Sequence, residues 1–170
     1  MKFHKDGTLP QNGEIFVFGS NLGGIHGSGA ARVAREQFGA QYFVGVGPTG
    51  NSYAIPTKNE DVTATLPLRT IKRYVDQFLD YAQLLKDLDD WADDAGKGGK
   101  RNAFFVTSIG CGLAGYKPEQ IAPMFRGAPD NCSFPDTWGP YLQQAHSGSL
   151  KADETSHHPM TCSCNCCMLG

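Results

Sequence analysis

The chain has 170 residues, a hydrophobic fraction of 40% and 10 Phe, 6 Tyr and 2 Trp, enough apolar material for one domain with a proper core; this excludes a disordered chain. Its formal net charge of −2 offers no bulk electrostatic case for nucleic-acid binding. No apolar run approaches the roughly 18–20 residues needed to cross a bilayer, and residues 1–7 lack the apolar stretch of a signal peptide, so a cytoplasmic location is the default expectation.

Residues 1–13 are polar and turn-rich and read as a lead-in. Residues 15–18 are a continuous apolar run, the signature of a strand buried on both faces. After a glycine-rich stretch, Ala30, Ala31, Val33, Ala34 and Phe38 predict a short helix from Ser28 to Phe38, stopped by Gly39. Residues 42–46 and 52–55 read as a strand pair around the turn 47–51. The longest helix is expected to begin near Thr65 with Pro67 in its first turn, because Leu68, Ile71, Val75, Phe78, Ala82 and Leu85 recur at steps of three and four.

Asp87, Asp89, Asp90, Asp93 and Asp94 then carry charge towards Gly96, as a solvated helix end or as a surface for a partner or cation. Residues 97–102 are a flexible connector into the strand that precedes the second glycine loop. Residues 117–125 predict a short helix with Pro118 in its first turn. Cys132 to Phe134 is a last strand, and Trp138, Tyr141 and Leu142 close the packing. Strands alternating with helices predict an α/β sandwich with a mixed sheet over residues 1–145, followed by a disordered, Cys- and His-rich tail over 146–170.

The chemistry concentrates in two glycine-rich turns, each after an apolar β run. The first holds Gly19, Gly23, Gly24, Gly27 and Gly29; the second holds Gly110, Gly112 and Gly115. Glycines this dense let backbone N–H groups turn outward and approach a ligand, and a following helix N-terminus favours phosphate. Neither turn is a Walker loop, since no Gly-Lys-Ser/Thr follows at the right spacing, and the dinucleotide fingerprint fits poorly. Two such loops on buried strands point to a nucleotide or diphosphate held between them.

Three blocks in order carry a resemblance to the macro domain family, the ADP-ribose-binding module. They are Gly27-Ser28-Gly29-Ala30-Ala31, then Ile55-Pro56-Thr57-Lys58, then Ser108-Ile109-Gly110-Cys111-Gly112-Leu113. They are most similar to the subclass of terminal ADP-ribose glycohydrolases and of antitoxins that remove ADP-ribose from DNA. The chain also resembles a set of uncharacterised phage proteins that share the opening Phe18-Gly19-Ser20-Asn21.

The resemblance implies a macro-like three-layer α/β sandwich with a mixed central sheet. The ligand it implies is ADP-ribose or an ADP-ribosylated macromolecule, with no cofactor or metal. It places Asn21 on the distal ribose, Gly27, Ser28 and Gly29 at the ribose and diphosphate, and Ser108, Ile109, Gly110, Cys111, Gly112, Leu113, Ala114, Gly115 and Tyr116 around the diphosphate. Lys58 falls where the subclass has a lysine that attacks the anomeric carbon, which requires a neutral amine. The subclass follows its Gly-Cys-Gly-Leu core with an acid–base aspartate, whereas this chain has Ala114. Glu60 and Asp61 are the nearby carboxylates that could substitute. The alternatives are a non-catalytic nucleotide-sequestering module and a phage accessory protein without a ligand.

Several residues keep two readings. His26 is a phosphate donor or general acid, or else a structural or solvent-facing residue. Cys111 is a nucleophile or a small packing residue, and Tyr116 stacks on a ligand or packs. Cys111 and Cys132 stand alone, while Cys162, Cys164, Cys166 and Cys167 crowd the end of the chain. That uneven placement fits free thiols in a reducing compartment better than a disulfide framework. With His157 and His158, the four terminal cysteines suit a soft metal, yet lack the paired spacing of a zinc module; an oxidation-prone tail is the other reading.

Overall fold

The structure is a computed structural model that describes residues 1–11 and 13–143. It is an α/β fold built on one six-stranded mixed sheet. The strands are β1 (Lys2–His4), β2 (Ile15–Asn21), β3 (Gly47–Thr49), β4 (Ser52–Lys58), β5 (Phe104–Val106) and β6 (Cys132–Pro135), in the spatial order β1-β6-β5-β2-β4-β3. All neighbours pair in parallel except the edge strand β3, which runs antiparallel to β4. The expected tail and its cysteines lie outside the described residues.

Helices cover both faces, because the central strands bury side chains on both. Phe16, Phe18, Ala54 and Phe105 pack with Ala31 and Ala34 of α1 (Gly29–Gln37). Val17, Tyr53, Ile55, Phe104 and Val106 pack on the other face against α2 (Leu68–Asp94), through Ile71, Val75, Phe78 and Ala82. The short helices α3 (Pro118–Ile121) and α4 (Gly139–Leu142) complete that second layer with Phe125, Phe134 and Trp138. Among the described residues no helix is long and apolar enough to cross a membrane.

The fold departs from the sequence expectations at several points. Residues 1–13 contain β1, which pairs with β6 through Lys2–Ser133 and His4–Pro135. Residues 42–46 are not a strand: Phe43 has φ +68°, and a side chain at Gly45 would lie 2.1 Å from the Asn21 carbonyl oxygen, so this segment packs as a loop against the first glycine turn. The hairpin partner of β4 is β3, which begins at Gly47, inside the expected turn. Pro67 caps α2 from outside, and α2 runs on through the aspartates to Asp94. Residues 117–125 split into α3 and a 3-10 turn over Ala122–Phe125, since Pro123 has no N–H with which to continue the helix.

The acidic end of α2 is a fastening. Asp89 accepts hydrogen bonds from the backbone and side chain of Asn102, and Asp90 and Asp93 pair with Arg101. Together they hold the 97–102 connector against the helix.

Candidate functional site

A cleft of about 340 Å³ opens beyond the ends of β2, β4 and β5, between the two glycine turns. Small-ligand sites commonly have such volumes. Of the residues singled out in sequence, Asn21, Ser28, Gly29, Lys58, Ser108, Ile109, Gly110, Gly112, Leu113 and Ala114 line it. Gly27, Cys111, Gly115 and Tyr116 are not in its lining. Thr57 of the Ile55–Lys58 block is, and so are Ile25 and Val62, to which the sequence assigned no role.

The first wall is braced by side chains. Asn21 donates to the Ile25 carbonyl and accepts from the Ile25 N–H, both at 2.8 Å, so its amide closes the turn. Gly24 has φ +64°, and an added Cβ would meet the Phe43 backbone at 2.5 Å; only glycine fits this crossing. The turn delivers the chain to α1, whose N-cap Ser28 makes no side-chain capping bond. The N–H groups of Gly29, Ala30 and Ala31 therefore end the helix without intrahelical partners, at the cleft wall.

The second wall is made by backbone. Within residues 107–116, Ile109 N–H bonds the Thr107 carbonyl, Cys111 N–H that of Ser108, Gly115 N–H that of Gly112, and Tyr116 N–H that of Gly110. The N–H groups of Gly110, Gly112, Leu113 and Ala114 have no partner among the described residues. Gly110 has φ +74°, which reverses the chain so that successive amides can face one side.

Lys58 closes the third side. A bulge in β4 opposite the end of β2 pairs Asn21 with Lys58 and leaves Thr57 extra, which lets two consecutive residues border the cleft. The Lys58 ammonium donates to the Val62 carbonyl at 3.1 Å, presented by the left-handed backbone of Val62 (φ +66°). Asp61 accepts from the hydroxyl and N–H of Thr63, bonds that hold its carboxyl below the usual range, and Glu60 is exposed with its carbonyl beside Gly23. Neither lines the cleft, and among the described residues no other carboxylate does.

A second cavity of about 480 Å³ adjoins the first and shares Ala30, Thr107, Ser108 and Gly112 with it. Its walls are apolar at Leu9, Phe16, Val33 and Phe105, and the His4 ring stacks on Phe105 at 3.6 Å. Asp6 is its one carboxylate, accepting from the Ser108 hydroxyl at 2.6 Å and the Gly7 N–H at 2.9 Å. A three-residue strand followed by a turn gave no periodic signal for this pocket.

The residues with two readings now have places. His26 is fully buried with both ring nitrogens unpartnered, edge-on to Phe18 at 5.2 Å; burial, with Arg35 second, pushes its pKa below 6.5. It is structural rather than solvent-facing. Cys111 borders the second cavity, and burial, followed by Asp6, pushes its thiol up to about 11, the protonated state of a packing residue. The Tyr116 hydroxyl donates to the Leu66 carbonyl at 2.7 Å, so it packs. Among the described residues no cluster of three metal-ligating side chains occurs. Comparison with protein-family models, with curated proteins and with solved structures gave no match for this chain.

Proposed function

We propose that this protein binds ADP-ribose or a related NAD-derived nucleotide, with the diphosphate between its two glycine turns. One observation carries the reading: unpartnered amides of Gly29 to Ala31 and of Gly110, Gly112, Leu113 and Ala114 border one cleft, with Lys58 as the only charged side chain among the described residues that line it. Such a site offers several N–H donors, a helix N-terminus and one cation, and an anion is what satisfies all three. The macro-domain resemblance supplies the ligand's identity, and the α/β architecture with a mixed sheet agrees with what it implies. The adjoining apolar cavity, with the Asp6 carboxylate as acceptor, suits a flat base bearing an exocyclic amine. A cytoplasmic location goes with this reading.

Hydrolysis of an ADP-ribose conjugate is the second reading, favoured by the position of Lys58 in the cleft. Attack by a neutral Lys58 amine on the anomeric carbon expels the conjugated group, which needs a proton from a positioned acid. The cleft supplies none: position 114 is alanine, and Glu60 and Asp61 lie outside its lining. Binding without turnover is therefore the expected behaviour. The test pairs a calorimetric titration with ADP-ribose against a hydrolase assay on ADP-ribosylated protein and DNA. Binding with no product release supports the module; release that disappears in Lys58→Ala establishes the enzyme instead.

A further inference from the structure

Helix α2 carries one apolar stripe in the core and a second, largely apolar series of which Tyr74 and Tyr81 pack partly against the core. Ile71, Val75, Phe78 and Ala82 are buried against the sheet. A second series, Tyr74, Gln77, Tyr81, Leu84, Leu88 and Trp91, also advances by alternate steps of three and four, the spacing of a helix–helix seam. Its C-terminal members are open to solvent: Leu84 is 54% exposed, Leu88 50% and Trp91 66%. Large apolar side chains grouped in this way on one helix mark an interaction surface.

Charge along the same helix identifies the occupant. Among the described residues, Arg69 and Arg73 near the start of α2 and Asp94 at its end take part in no ion pair, while Lys72, Lys86, Asp90 and Asp93 are paired. A copy of α2 laid antiparallel sets the basic start of one helix against the acidic end of the other; a parallel copy sets like against like. The stripe is then self-complementary about a two-fold axis. We infer that a second copy of this chain docks antiparallel along the Tyr74–Trp91 series of α2, forming a symmetric homodimer. Asp80 and Asp87, beside the middle of the stripe, come near each other across the axis and weaken the pair, which places it in the reversible, transient class.

The full chain is examined by sedimentation velocity and light scattering from micromolar to millimolar protein, with circular dichroism as the folding control. The expected result is a concentration-dependent rise to twice the chain mass. Leu88→Glu abolishes it with an unchanged spectrum, since the side chain is already half-exposed. Arg73→Asp weakens the dimer, and adding Asp94→Arg restores it. A monomer at every concentration, including one whose stripe is covered by its own residues 144–170, overturns the inference. So does a dimer that survives Leu88→Glu or a charge swap that fails to restore association.

Discussion

The two ends of the composite cleft differ in the polar groups set among their apolar walls. At one end backbone amides and a lysine stand among Ile25, Val62, Ile109 and Leu113, with no acid among the described residues; at the other Phe16, Val33, Leu9 and Phe105 surround the Asp6 carboxylate. The Thr107–Ser108 segment, Gly112 and Ala30 belong to both. A phosphate suits the first end, because oriented N–H groups stabilise negative charge without bringing a counter-charge of their own. The second end repels phosphate through Asp6 and favours a planar, weakly polar group. A ligand that spans both must be anionic in its middle and flat at one tip.

The variants that break this contrast differ in reach. Gly112→Trp has the largest expected effect. A Cβ at Gly112 meets nothing within 4 Å and the residue borders both cavities, so a bulky side chain is accommodated by the fold and competes with the ligand. Affinity for ADP-ribose should fall by about 100-fold or more, roughly 2.7 kcal/mol, with the melting temperature unchanged; undiminished calorimetric affinity removes the ligand from this loop. Asp6→Asn should weaken ADP-ribose and AMP alike by about tenfold, since it alters one charge-assisted bond at the base end. An effect on ADP-ribose alone would move the base elsewhere.

Lys58→Ala should cost about tenfold for ADP-ribose at low salt and leave AMP within about twofold, because it removes the lone cation from the phosphate and sugar end. Equal losses for both ligands would collapse the distinction between the ends. His26→Phe has the smallest effect and lies outside the cleft. The folded pKa of His26 is depressed, so the unfolded chain binds a proton that the buried ring refuses. Stability contributed by the neutral ring is full above about pH 6.5 and falls as pH drops below it. The variant should flatten that acid slope in melting curves; an unchanged slope would assign it to other groups.

What was legible in the chain followed long or repeated patterns. The run Ile15–Phe18 and the spacing of Ile71, Val75, Phe78 and Ala82 were readable because burial repeats over several turns or residues. β1 was not, since two of its three residues are Lys2 and His4, and its stability comes from pairing with β6, 131 residues later. Residues 42–46 look apolar enough for a strand, but Phe43 adopts a left-handed backbone where the loop crosses Gly24. In the site, the glycine turns announced themselves by composition, whereas Lys58 stood out only through the resemblance. Ile25, Val62 and Asp6 reach the cavities through tertiary packing, which leaves no local mark.

The most direct test of the central claim is calorimetric titration of the purified protein with ADP-ribose, with AMP as the comparison. The account predicts saturable binding of ADP-ribose that is tighter than binding of AMP and weakens as salt rises. No binding of ADP-ribose at millimolar concentration would contradict it.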